Sequence, residues 1–248
     1  MKRITDFLIL FLSLVVLVSC SEKVPEHNTL TKAEIDEGWT LLFDGKTLDG
    51  WRSFQEEGIQ GWVVEDGTLK SLGEGTEATG DIITEGQYEN FELKLDWKIS
   101  PQGNSGILYL VQEDTFKRVF ETGPEYQLLD DVGFPPYYID DKGDTIPVLD
   151  SQKTAANYAM HVAENKELKP VGEWNTAKIL VDHGHVEHWL NGKKVVEYEL
   201  WSDDWKQRVA ACKWSEFPGY GAFKKGHIAL QDHGSIAWFR NMKIREIE

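Results

Sequence analysis

Apolar and polar residues alternate with a period of two along most of this chain, and the alternation breaks at turns that carry glycine. A backbone that presents its side chains strictly to alternate faces is an extended strand. The pattern predicts strands over Trp62–Glu65, Phe91–Ile99, Ser105–Val111, Glu125–Leu129, Asn175–Asp182, His185–Leu190, Lys194–Glu199, Gly226–Gln231 and Ile236–Ile247. Asp66-Gly67, His183-Gly184 and Asn191-Gly192 supply the tight turns of hairpins and so imply an antiparallel meander. Helical periodicity is nearly absent, and only Thr31–Glu37 reads as a short helix, with Thr31 as N-cap and Glu34 closing a capping box. Many short strands without an internal repeat favour an all-β sandwich of two antiparallel sheets over a propeller or solenoid. Lys and Arg number 26 against 42 Asp and Glu, a net charge of −16. That balance excludes a nucleic-acid partner held by phosphate neutralisation and argues equally against an anionic substrate.

The first segment reads as an address. Lys2 and Arg3 precede an apolar run from Phe7 to Val18 that is too short to span a bilayer, so residues 1–19 read as a signal peptide. The junction Leu17-Val18-Ser19-Cys20 resembles the bacterial lipobox, which makes Cys20 the lipidated N-terminus of the mature chain; the alternative is an ordinary export signal with an incidental cysteine. Residues 20–37 then form the anchor and tether, and 38–248 the domain. A lipid on Cys20 implies a membrane partner and a place in the cell envelope, in the periplasm or at the outer membrane. Cys20 and Cys212 are the only cysteines, too few for a disulfide framework or a multi-cysteine metal cluster.

Strand faces carry the chemistry. The run from Glu125 to Asp130 sends Glu125, Gln127 and Leu129 to one face and Tyr126, Leu128 and Asp130 to the other; the run from Ile228 to His233 likewise pairs Gln231 with His233. If both polar faces line one concave sheet, a carboxylate and an imidazole converge with amides, a set that binds sugar hydroxyls and moves protons. The alternative is a solvated sheet face. Gly103-Asn104-Ser105-Gly106 lacks the spacing of a nucleophile elbow and suits a close backbone approach at a strand entry. Trp39, Trp62, Trp97 and Trp189 read as core, whereas Trp201, Trp205 and Trp214 lie in a polar excursion, Leu200–Tyr220, where they flank a ligand or plug a sandwich end. The irregular stretch Asp130–Lys169, rich in Asp, Pro and Tyr, reads as a loop walling a site or as a solvated acidic excursion. His185 and Glu187 share a face near His183 and His188, but His183 and His185 flank a turn and read as exposed; Asp140-Asp141-Lys142-Gly143-Asp144 lacks EF-hand spacing. No metal site follows from spacing.

The segment Trp39 to Trp51, Trp-Thr-Leu-Leu-Phe-Asp-Gly-Lys-Thr-Leu-Asp-Gly-Trp, resembles the opening motif of the 3-keto-disaccharide hydrolase family. Gly103-Asn104-Ser105-Gly106-Ile107, Glu125 to Asp130, Gly172-Glu173-Trp174-Asn175, His188 to Gly192, Leu230 to Gly234 and Phe239-Arg240-Asn241 follow in the family's order. The resemblance implies a concanavalin A-like jelly-roll sandwich and cleavage of glycosides already oxidised to a ketone at C3. Such a ketone acidifies the C2 hydrogen, so a base can remove it and the C1 oxygen can leave by elimination; hydration of the enone completes a hydrolysis. This chemistry asks for a base, an enolate stabiliser and an acid. The matching positions assign Glu125 and His233 as base and acid in either order, Arg240 as enolate stabiliser, and Asn104, Gln127 and Gln231 as binders of sugar or enolate oxygens. Tyr126, Asp130 and Asp232 complete the substrate-binding set, the two aspartates by orienting partners or by supporting turns. A divalent metal acting as Lewis acid on the ketone is chemically sensible, though no spacing demands it. An upstream sugar 3-dehydrogenase is the implied partner. The chain departs from the family where Leu108-Tyr109-Leu110-Val111-Gln112 lacks a customary Arg, which points to a different sugar or aglycone. The competing function is a non-catalytic, carbohydrate-binding surface lipoprotein.

Overall fold

The computed structural model describes residues 26–248 except 56, 74–79, 140 and 141. The expected signal peptide, Cys20 and part of the Asp140-Asp141 loop lie outside the described residues. Helix α1 (Lys32–Asp36) leads into β1 (Thr40–Leu41), β2 (Trp51–Ser53), β3 (Trp62–Glu65), β4 (Thr68–Ser71), β5 (Ile82–Thr84), β6 (Phe91–Ile99), β7 (Asn104–Val111) and β8 (Glu125–Leu129). A short hairpin, β9 (Tyr137–Ile139) and β10 (Thr145–Pro147), precedes the meander β11 (Asn175–Asp182), β12 (His185–Leu190) and β13 (Lys193–Glu199). Helix α2 (Asp203–Ala211), β14 (His227–Leu230) and β15 (Ala237–Glu246) close the chain.

These strands form the expected two-sheet antiparallel sandwich. One sheet runs β13-β12-β11-β6-β15-β4-β3, with β1 also paired to β15; the other runs β2-β5-β14-β7-β8. Both predicted Gly turns of the meander fall where expected, at β11–β12 and β12–β13, and the Asp66-Gly67 turn joins β3 to β4. Thr31 caps α1 through a complete capping box with Glu34. Between the sheets, Trp97, Phe91, Leu93 and Phe239 of the large sheet meet Ile107, Tyr109, Tyr126 and Leu128 of the small one, all essentially inaccessible to water. Each such side chain contributes roughly 1.5–3 kcal/mol by burial. Polar ties cross the same core: Tyr109 Oη bonds His188 Nε2 at 2.8 Å, and Tyr126 Oη donates to the Trp189 carbonyl at 3.1 Å. At the β7 bulge Leu110 adopts φ 58°, and the Gly226 backbone lies so close to Leu110 that any side chain there would collide with it.

Several expectations change. The excursion Leu200–Tyr220 is not irregular, because Asp203–Ala211 is helical; Ser202 caps it by accepting from the Trp205 amide at 3.1 Å, and Asp203 and Asp204 favour the N-terminal turn. The helix escaped the periodicity test because Trp205 is its only buried residue. Trp189 is not core: it is half-buried on the outer face of the large sheet, with Lys178 Nζ 3.8 Å from its ring centroid. Trp39, Trp62 and Trp97 are buried as expected. The stretch Asp130–Lys169 divides into an exposed hairpin, β9–β10, and a second half that lies along β8.

Candidate active site

The outer face of the small sheet carries the polar cluster. Backbone bonds run from the Gln127 amide to the Ala156 carbonyl, from the Ala155 amide to the Gln127 carbonyl and from the Tyr158 amide to the Glu125 carbonyl. They lay residues 155–158 along β8 like an extra strand and set Tyr158 beside Glu125. On the other side, the Gln231 amide bonds the Gly106 carbonyl at 2.9 Å and Ser105 Oγ donates to the Gln231 carbonyl at 2.8 Å, which pins the end of β14 to β7. A cavity of about 120 Å³ opens between these elements. Asn104, Glu125, Gln127, Gln231 and His233 line it as the polar set; Phe120, Tyr158, Trp214 and Lys213 form the remaining wall. Larger hollows of about 500 and 410 Å³ lie elsewhere, one beside His161 and Arg208 and the other between the N-terminal segment and the large sheet. Of these hollows among the described residues, the small cavity is the one that gathers a buried acid, an imidazole and amides at one point, which is the mark of a reaction site.

Glycine makes room for the acid. A Cβ at Gly106 would collide with the Glu125 carboxylate, so the missing side chain on β7 is what lets that group lie across the strand. Glu125 is 4% exposed, and its carboxyl makes no hydrogen bond among the described residues. Burial pushes it up to about 8; the Lys213 ammonium opposes the shift and the Asp81 charge adds to it. Asp81, half-buried, accepts the Asp232 amide at 2.9 Å and is itself pushed up to about 7 by burial. Gln127 Nε2 donates to Asn104 Oδ1 at 2.9 Å, leaving the Asn104 amino group and the Gln127 carbonyl for a ligand. The Gln231 and His233 side chains have no hydrogen-bond partner among the described residues, and His233 is exposed at the rim. An acid that keeps its proton at neutral pH faces an imidazole with a free ring nitrogen. Such a pair can protonate one atom of a substrate while deprotonating another.

Four expected site residues stand elsewhere. Tyr126 is fully buried between the sheets and points away from the cavity. Asp130 accepts the amides of Gln102 at 2.8 Å, Val132 at 3.2 Å and Gly133 at 2.8 Å, so it supports a turn, one of the two roles foreseen for it. Asp232 accepts the Gly234 amide at 3.0 Å beside the site without lining the cavity. Arg240 is on the large sheet, 3.4 Å from Asp96 and stacked 4.0 Å from the Trp174 ring, and cannot serve as the enolate's cation. Lys213, Phe120 and Asp81 were missed by sequence reasoning. Tyr158 belongs to the stretch read as walling a site or as a solvated excursion, and Trp214, read as flanking a ligand or plugging a sandwich end, is 1% exposed and contributes to the cavity wall.

Among the described residues, three donor groups that lie within 4.8 Å of one another occur at His185, Glu187 and Glu197. They sit on the outer face of the large sheet, where Lys194 already pairs with both glutamates at 2.9 and 2.5 Å. His185 is ion-paired to Glu199 at 2.6 Å, and His188, close in sequence, is wholly buried, with burial holding it neutral at about 3.

The fold and the cavity together define a two-sheet β-sandwich protein with an acid, an imidazole and amides gathered on one sheet face. The chain belongs to the 3-keto-α-glucoside-1,2-lyase-like domain family, whose model matches residues 38–245. It is 35% identical to the 3-keto-disaccharide hydrolase of Bacteroides thetaiotaomicron over an alignment of 255 residues, covering 93% of this chain and 86% of that protein. Among solved structures, a candidate glycosyl hydrolase from Parabacteroides distasonis superposes with a TM-score of 0.82 at 46% identity, over 90% of this chain and all of that one. A second candidate from the same organism gives 0.62 at 30% identity, over 84% of this chain and 99% of its own length.

Proposed function

We propose that this protein cleaves the glycosidic bond of sugars oxidised to a ketone at C3, by elimination across C1 and C2 followed by hydration. The observation that carries the reading is the unpartnered Glu125 carboxyl, held at about 8 by burial in the same cavity as a free His233 ring. Burial keeps the proton on Glu125, which fits that residue to the acid's role. His233 takes the C2 proton, the electrons of that bond passing through C3 to its oxygen. The enolate then collapses, C1 and C2 become doubly bonded, and the departing oxygen takes the Glu125 proton. Addition of water, hydroxyl to C1 and hydrogen to C2, gives the free 3-keto sugar. Asn104, Gln127 and Gln231 hold the ring's oxygens during both steps. A cavity of about 120 Å³ admits the reacting edge of one sugar and leaves the aglycone outside.

The oxidised substrate requires a sugar 3-dehydrogenase upstream. Lipidation of Cys20 would place the protein in the cell envelope, in the periplasm or at the outer membrane. Within the segment read as the tether, the Asn28 amide donates to Asn241 Oδ1 on the large sheet at 2.7 Å.

Mass spectrometry of the soluble domain with a 3-keto-glucoside and its unoxidised parent, with and without chelator, tests the reading. Cleavage of the keto compound alone supports it, and loss with chelator would add a metal. Cleavage of the parent replaces it with conventional hydrolysis. Saturable binding without cleavage of either replaces it with a carbohydrate-binding module.

A further inference from the structure

Elimination through an enolate places a full negative charge on the C3 oxygen, and the residue expected to meet it, Arg240, lies on the other sheet. Among the described residues that line the cavity, Lys213 is the single Lys or Arg. It is exposed at the rim, but its ammonium is held in place: Nζ lies 4.3 Å from the Tyr158 ring centroid and 4.4 Å from that of Trp214. Those rings are fixed to each other, because Trp214 Nε1 donates to the Tyr158 carbonyl at 3.1 Å. No carboxylate of the described residues stands within ion-pair distance of Lys213, whereas Lys70, Lys94, Lys178 and Lys243 on the large sheet are each ion-paired. A cation left without an anion, oriented by two rings and facing a buried acid, lacks only the charge that the reaction creates.

We propose that Lys213 is a catalytic residue, the group that stabilises the enolate oxygen at C3 after His233 has taken the C2 proton. The assignment rests on the elimination reading above. The bookkeeping is simple: the C2–H pair becomes the C2–C3 double bond, the carbonyl pair moves to oxygen, and the Lys213 ammonium neutralises that oxygen by a hydrogen bond, without covalent attachment. When the enolate collapses, the pair returns and Lys213 is left unchanged. The crowding that lowers its pKa also makes its proton easier to share, while the Glu125 charge works against that shift.

The enolate step can be isolated with a 3-keto-1,5-anhydrohexitol, which has no glycosidic oxygen at C1. Deuterium exchange at C2, followed by NMR, then reports enolisation alone, beside a parallel cleavage assay on a 3-keto-glucoside. Lys213→Met should slow exchange and kcat for cleavage by about 100-fold or more, with KM little changed, and Lys213→Arg should restore much of both, because the charge is what matters. Glu125→Gln should lose cleavage and keep exchange, which separates acid from enolate stabiliser. A folded Lys213→Met protein, with wild-type melting temperature, that exchanges at the wild-type rate overturns the proposal. So does a borohydride-trapped adduct at Lys213, which would mean imine chemistry. A wild-type protein that cleaves but is indifferent to Lys213 defeats this assignment alone; one that neither exchanges nor cleaves defeats the elimination reading beneath it.

Discussion

The two outer faces of the sandwich carry similar residue types and treat them in opposite ways. On the large sheet, charges are spent on one another: Glu92 meets Lys94 at 3.0 Å and Arg245 at 2.7 Å, Arg240 meets Asp96, and the rings of Trp189 and Trp238 lie under Lys178 and Lys98. On the small sheet, Glu125 is more deeply buried than any of these groups and has no partner, while the Gln231 and His233 side chains stand unbonded beside it and Lys213 touches two rings but no carboxylate. An unpaired buried acid costs stability, so a fold retains one where chemistry needs it. Paired charges mark the structural face, and an unpaired buried acid the reactive one.

Removing the acid from the reactive face should have the largest effect. Glu125→Gln is expected to lower kcat for cleavage of a 3-keto-glucoside by about 10²–10⁴-fold, with thermal stability equal to or above that of the wild type, since an isosteric amide relieves the burial of an ionisable group. A stability loss together with retained activity would place Glu125 with the structural residues and erase the contrast.

The pH dependence sharpens the same point. Glu125 works as an acid only while protonated, so kcat should fall as pH rises through about 8. Stability follows the same sign: the folded-state pKa stands above the unfolded carboxyl's value of about 4.3, so the folded state holds an extra proton between the two values. The stability this contributes is complete below the window and is lost as pH rises through about 8. Urea unfolding at a series of pH values should show a steeper slope in the wild type than in Glu125→Gln, which keeps the smaller contribution of Asp81, raised to about 7.

A smaller change breaks the geometry without touching a polar group. Gly106→Ala places a methyl where the Glu125 carboxylate lies. Overpacking of this kind costs about 1–3 kcal/mol, and displacement of the acid should lower kcat and, by changing its burial, move the pH at which the alkaline limb falls. Chemical denaturation and a pH profile read both effects.

How much of this contrast was legible in the sequence depends on what carries each residue. Alternation placed Glu125 beside Gln127 and Gln231 beside His233 on shared faces, because a strand's period is rigid over a few residues; it also placed the strands of the meander to within one residue. It failed for Lys213, Tyr158 and Trp214, which reach the cavity from segments that are not strands of either sheet and are positioned by long-range bonds such as that from Trp214 to Tyr158. Neither period describes such approach. The signal that could have found Lys213 was local: a cation flanking a tryptophan, Lys213-Trp214, just past the end of the short helix that Ser202-Asp203-Asp204 begins. Arg240 was misplaced for another reason. Its motif adjoins the site's motifs in sequence, but β15 belongs to the large sheet, and adjacency along the chain does not say which sheet a strand joins.

Arg240 therefore offers the smallest and most discriminating test. Its guanidinium is paired with Asp96 at 3.4 Å and stacked on Trp174, and both sides of the ion pair are 19% exposed. Pairs this close to the surface are worth about 0–1 kcal/mol, and the ring contact adds an amount of similar size. Arg240→Leu keeps much of the stem's packing on Trp174 while removing the charge, so urea unfolding should show a loss of about 1 kcal/mol or less, and kcat should stay within about twofold of wild type, below the smallest effect ordinarily assigned to a catalytic contact. A hundredfold loss of kcat at unchanged stability would mean that the large sheet's outer face takes part in the reaction, and that paired charges there are held in reserve rather than consumed by the fold.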